Sequence, residues 1–165
     1  MVAVALTALG CGSDSKSSPG AVTTPSDGGP PTIKITSPAN GATVSPASDS
    51  DFPDVPVTLA ITNFTLKAPA SADCPSGTCG HVHLMVDGTA CNDKETMPPP
   101  PYNSAATALS GPDVHVGLDY CSKIGGQHVI TAELHNNDHS PVTGPDGKPI
   151  ISDPVTITAS GADGG

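Results

Sequence analysis

From residue 32 onward, apolar and polar residues alternate in short runs that Pro, Gly and Asp repeatedly interrupt. A period of two sends successive side chains to opposite faces of a strand, and no stretch carries the three-to-four spacing of an amphipathic helix. With 19 Pro and 18 Gly in 165 residues, turns recur too often for long helices to form. The candidate strands are T-I-K-I-T (32–36), A-T-V-S (42–45), V-P-V-T-L-A-I-T-N-F-T-L (55–66), H-V-H-L-M-V-D (81–87), V-H-V-G-L-D-Y (114–120), Q-H-V-I-T-A-E-L-H (127–135) and P-V-T-I-T-A (154–159). Their number and spacing predict an all-β sandwich or barrel of about seven strands.

Seven short strands also suit an immunoglobulin-like sandwich, and two stretches resemble the bacterial immunoglobulin-like domains of secreted and surface proteins. I-T-S-P-A-N-G-A-T-V (35–44) is similar to their first-strand bend, and G-G-Q-H-V-I-T-A-E-L (125–134) to their penultimate strand. The resemblance implies a fold, an antiparallel β-sandwich, and no activity. A second resemblance is to small exported bacterial domains of uncharacterised function, in which a His-rich strand runs from Gly to Asp and is followed by a Gly-x-His strand and a D-H-x-P type loop. Here these read G-H-V-H-L-M-V-D-G, G-G-Q-H-V-I and N-D-H-S-P, with Val82 where that family tends to place a third consecutive His.

Residues 1–11, M-V-A-V-A-L-T-A-L-G-C, look like the end of a secretory signal. The run is shorter than the about 20 apolar residues that span a bilayer. It has no basic leader, so the true start is expected upstream. Ala8-Leu9-Gly10-Cys11 resembles the bacterial lipobox, although the family prefers Leu at the position of Ala8 and a small residue at that of Leu9. The resemblance implies lipidation of Cys11 and a membrane partner through that anchor; Gly12 after the cysteine implies sorting to the outer membrane. Residues 12–31 are dominated by Ser, Gly, Pro, Thr and Asp, which bury too little surface to offset ordering entropy. They are read as a disordered linker with a reach of roughly 25 Å. Residues 32–160 are then one domain, with 161–165 a disordered tail.

Sixteen acids against six basic residues give a formal charge of -10, and every basic residue is lysine. Nucleic acid is not expected as a partner, because phosphate neutralisation needs clustered Lys and Arg. Four aromatic residues, Phe52, Phe64, Tyr102 and Tyr120, and no Trp offer no platform on which sugars could stack. Apart from Cys11, four cysteines remain, Cys74, Cys79, Cys91 and Cys121, and these permit three pairings. The short turn P-S-G-T between Cys74 and Cys79 favours a local bridge, leaving Cys91 for Cys121. A four-thiolate zinc site is the rival reading, disfavoured by an oxidising compartment and by the lack of a C-x-x-C pair.

The chemistry rests on the histidines. In strand 81–87, Val82, Leu84 and Val86 face the core, so His81, His83, Met85 and Asp87 share the other face, which is expected to be solvent. His81 and His83 then have Cα atoms roughly 6.5 Å apart, close enough for two imidazoles to meet at one ion. In strand 127–135, His128, Ile130, Ala132 and Leu134 are taken as inward and Glu133 and His135 as outward. If the two strands are antiparallel neighbours, His135 and Glu133 come near His81 and His83, with His139 in the following loop. Imidazoles with a carboxylate are the ligand set of Zn(II) or Cu(II), and the thioether of Met85 on the same face suits copper. The bland alternative is that exposed strand positions accept any polar residue.

His128 is read as a corner residue bonding backbone, and His115 as solvent-facing on a different sheet. Asp49, Asp51 and Asp54 offer oxygen ligands for calcium but lack the Gly and Glu of an EF-hand loop, so a solvated turn is favoured. No G-x-S-x-G turn presents a nucleophile. The four-proline run within residues 88–102 is read as a rigid spacer. The expectation is a non-enzymatic binding module of the cell envelope, holding a metal or serving as a spacer that meets an envelope protein partner.

Overall fold

The computed structural model describes residues 28–46, 53–88, 90–91 and 103–160. The lipobox with Cys11, nearly all of the 12–31 linker, Asp49 and Asp51, the four-proline run and the 161–165 tail lie outside the described residues. The described residues form nine strands rather than seven: β1 (Thr32–Ser37), β2 (Ala42–Val44), β3 (Asp54–Thr62), β4 (Thr65–Leu66), β5 (Cys79–Val86), β6 (Ser104–Ala106), β7 (Asp113–Gly117), β8 (Gly126–His135) and β9 (Val155–Ala159). They contain no helix.

The strands make two sheets. One has the order β1-β3-β7 and is antiparallel throughout; the other runs β2-β9-β8-β5-β4, with β6 also paired to β5. The β2–β9 and β4–β5 pairs are parallel, and the remaining pairs are antiparallel.

The two extra strands have separate causes. The apolar run expected over 55–66 is cut by Asn63, which stands at φ 55°, a left-handed conformation that Asn tolerates better than most residues. The break carries the chain out of the small sheet at Thr62 and into the large one at Thr65, beside Cys79. β6 is Ser-Ala-Ala, which has no alternation to read. It forms because β5 offers Val82 to Leu84 as an edge to pair with.

One core joins the sheets. Ile33, Ile35, Val55, Val57, Leu59, Val114 and Val116 come from the small sheet, and Val82, Leu84, Val86, Ile130, Ala132, Leu134 and Ile157 from the large one. Each large aliphatic side chain buried there contributes roughly 1.5–3 kcal/mol. Disulfides join Cys74 to Cys79 and Cys91 to Cys121, so the four cysteines pair two by two instead of gathering into one thiolate cluster.

Candidate metal centre

β5 and β8 pair antiparallel, with His81 opposite His135 and His83 opposite Glu133. The start of one strand therefore lies beside the end of the other. His81 and His83 occupy the face away from Val82, Leu84 and Val86, as alternation requires. That face, however, is not solvent: His81 is 0% exposed, His83 and His135 2%, and Glu133 8%.

The cover comes from two loops that strand periodicity cannot foresee. Asn136 Oδ1 accepts from the Gly77 amide at 2.8 Å and from Ser76 Oγ at 3.2 Å. Asn137 Oδ1 accepts from the Ser71 amide at 3.1 Å, and its Nδ2 donates to the Ser71 carbonyl. The loop after β8 is thereby stitched to the loop before β5, which the Cys74–Cys79 disulfide fastens to the first residue of β5. Pro69 and His139 from these loops line, with His81, His83, Ser104 and Thr107, a cleft of about 370 Å³.

Gly80 sets the depth of the floor. Its φ is +153°, and a Cβ placed there would lie 2.0 Å from the His135 carbonyl oxygen. Only glycine lets β5 come this close to the end of β8, which accounts for the Gly that precedes the His-rich segment.

His139 completes the group from above. It sits at φ 65° in a turn where its amide donates to the Asn136 carbonyl at 3.1 Å and the Asn136 amide donates to the Ser140 carbonyl at 2.8 Å. Its Nδ1 lies 3.1 Å from His81 Nε2. One ring nitrogen from each of His81, His83 and His139 lies within 4.8 Å of the other two. Imidazole nitrogens on a tetrahedral ion are about 3.3 Å apart, so one edge of the triangle is already at ligand spacing and no edge exceeds it by more than about 1.5 Å. His81 Nδ1 is buried with no hydrogen-bond partner among the described residues, and such a group costs roughly 1–3 kcal/mol.

His135 is arranged differently from the sequence expectation. Its ring stacks on His83 with centroids 4.1 Å apart. Its Nδ1 donates to the His139 carbonyl at 2.8 Å, and its Nε2 faces Glu133 Oε1 at 3.1 Å. The two groups expected as ligands thus pair with each other beside the triangle, where His135 holds the His139 backbone in place. His139, expected only to complete the shell, takes the third corner.

Burial lowers the His81 pKa to about 4, with the positive charge of His139 and then of His135 adding to the effect. Burial lowers His83 further, to about 3, helped by His135, His81 and His139. At neutral pH both rings are uncharged and hold lone pairs ready for a cation.

The other histidines lie apart. His115, on β7, is exposed and pairs with Asp54 at 2.9 Å, leaving that aspartate engaged in the small sheet. His128 is buried and bonds the Ile124 carbonyl at 3.0 Å. It also meets Asp87 Oδ2 at 2.7 Å, next to the Cys91–Cys121 bridge. The sequence presents Asp87 only as the end of the His-rich strand and His128 only as a corner residue, with nothing that brings the two together beside Cys91 and Cys121. Compared with protein-family models, with curated proteins and with solved structures, the chain matches none.

Proposed function

We propose that the chain is a metal-binding module of the cell envelope, in which His81, His83 and His139 hold one Cu(II) or Zn(II) ion and the Glu133–His135 pair braces them. The observation that carries this reading is the convergence of three imidazole nitrogens, from two buried strand positions and a left-handed turn, at the head of a cleft. Borderline nitrogen donors suit these two ions. A residue held in an uncommon backbone region beside buried polar groups is a frequent sign of a functional site.

Binding rather than catalysis is the role proposed. The two-sheet core supports an immunoglobulin-like sandwich as the finer description of the fold. The N-terminal resemblance to a lipobox supports export and anchoring through Cys11, with the Ser- and Pro-rich segment as tether.

Titration of the purified chain with Cu(II) and Zn(II), followed calorimetrically, tests the reading. The expected result is one ion per chain, with affinity reduced roughly tenfold or more in His83→Ala and in His139→Ala. Equal, weak uptake by all three proteins would leave a spacer domain without an ion.

A further inference from the structure

At the opposite end of β5 from the three-histidine group, Asp87, Cys91, Cys121 and His128 bring one donor atom each within 4.8 Å of one another. They line a cavity of about 610 Å³. The Cys91–Cys121 disulfide accounts for the two sulfurs. It does not account for a buried histidine and a carboxylate aimed at them.

The spacing is that of a coordination shell. Cys91 Sγ lies 3.5 Å from Asp87 Oδ2, Cys121 Sγ lies 3.9 Å from His128 Nδ1, and Asp87 Oδ2 lies 2.7 Å from that nitrogen. Around a tetrahedral zinc-class ion with its usual bond lengths, sulfur and oxygen or nitrogen donors are about 3.5 Å apart and sulfurs about 3.8 Å. The sulfur pair, now bonded, would have to open substantially, and the Asp87–His128 pair from 2.7 Å to about 3.3 Å as its shared proton leaves.

The surrounding bonds also fit. His128 Nε2 donates to the Ile124 carbonyl at 3.0 Å, which fixes the ring with Nδ1 turned toward the sulfurs. Asp87 Oδ1 accepts from the Val129 amide at 2.7 Å and leaves Oδ2 facing inward. Protein ligands to metals are commonly oriented by such outer bonds. Asp87 itself stands at φ 49°, a conformation that places its carboxylate at the strand end.

We infer that reduction of the Cys91–Cys121 disulfide converts this end of the sheet into a binding site for a zinc-class divalent cation, with Cys91, Cys121, His128 and Asp87 as ligands. A dithiol reductant supplies two electrons and two protons, becoming a disulfide itself, and the protein bridge opens to two thiols. The cation then displaces both thiol protons and the proton shared by His128 Nδ1 and Asp87 Oδ2. All three leave to solvent, and two metal–sulfur bonds form. Reoxidation by a disulfide reverses the process and expels the ion.

The test is a Co(II) titration of the full chain, oxidised and after reduction by a phosphine, followed by absorption and circular dichroism. Thiolate-to-cobalt charge transfer appears only when cysteine ligates, so uptake by the three-histidine group does not produce it. The expected result is a charge-transfer band at one equivalent in the reduced protein. The band should be absent in the oxidised protein and in Cys91→Ser/Cys121→Ser reduced alike, and its affinity should be roughly tenfold weaker or more in His128→Gln and Asp87→Asn. If reduction melts the sheet signal, Co(II) should restore it; failure to do so overturns the proposal. So does a reduced, folded protein without the band, or a band that both substitutions leave unchanged.

Discussion

Replacing Gly80 by Ala is expected to damage both the fold and the three-histidine group. The added methyl would sit 2.0 Å from the His135 carbonyl oxygen and 3.1 Å from the Phe64 ring, so β5 and β8 must part by about 1 Å at their shared end. Two pairings lie at that end: the His81–His135 pair with β8, and the Leu66–Gly80 pair with β4, whose bonds include the Lys67 amide donating to the Gly80 carbonyl. Losing two hydrogen bonds at roughly 1 kcal/mol each, together with backbone strain of roughly 1–2 kcal/mol, gives a destabilisation of about 3–4 kcal/mol. That is near the top of the range for single substitutions. Gly126→Ala is the control: its φ is +111°, but nothing lies within 4 Å of the added carbon, so only the strain, roughly 1–2 kcal/mol, is expected. Urea unfolding followed by circular dichroism would measure both, and metal titration of the folded fraction would report the site. Gly80→Ala within 1 kcal/mol of the parent, with unchanged metal affinity, would refute the close-approach argument.

Acid is expected to destabilise the metal-free fold. His81 and His83 are lowered from 6.5 to about 4 and about 3, so well above pH 6.5 neither adds a protonation cost to folding. As pH falls below 6.5 the unfolded chain takes up protons that the folded chain refuses. Stability then declines, by roughly 2 kcal/mol for each ring at pH 5, until the folded-state values are passed. Urea midpoints across this interval should show the decline, with a shallower slope in His83→Gln. Asn136→Ala removes an acceptor for the Gly77 amide and the donor to Ser140 Oγ, and is expected to cost roughly 1–3 kcal/mol. It should also speed amide exchange across residues 136–140 and weaken metal uptake; exchange at the parent rate would contradict the loop-stitching role.

Alternation located seven of the strands, because a core on one face leaves a period-two trace in residues such as Val82, Leu84 and Val86. The antiparallel pairing of β5 with β8 rests on the immunoglobulin-like resemblance and not on alternation; it is present, with His81 opposite His135. What alternation could not show is what covers the other face. The cover depends on Asn136 and Asn137, whose bonds reach across 59 and 66 residues and leave no periodic signal. The same holds for the exchange of roles between His135 and His139. Position along a strand is legible, but a left-handed turn that brings a loop imidazole over the strand is not. Asn63 misled for a related reason, since a single backbone conformation ended a run whose composition continued.

The strand bearing His81 and His83 is flanked on one edge by β8 and on the other by β4 and β6, whereas His139 belongs to a turn. An ion seated among the three would thus have two anchors unable to retreat and one that can swing. Its residence time would be governed by how often the 136–140 turn lifts, so variants that loosen the turn should accelerate escape far more than they slow capture.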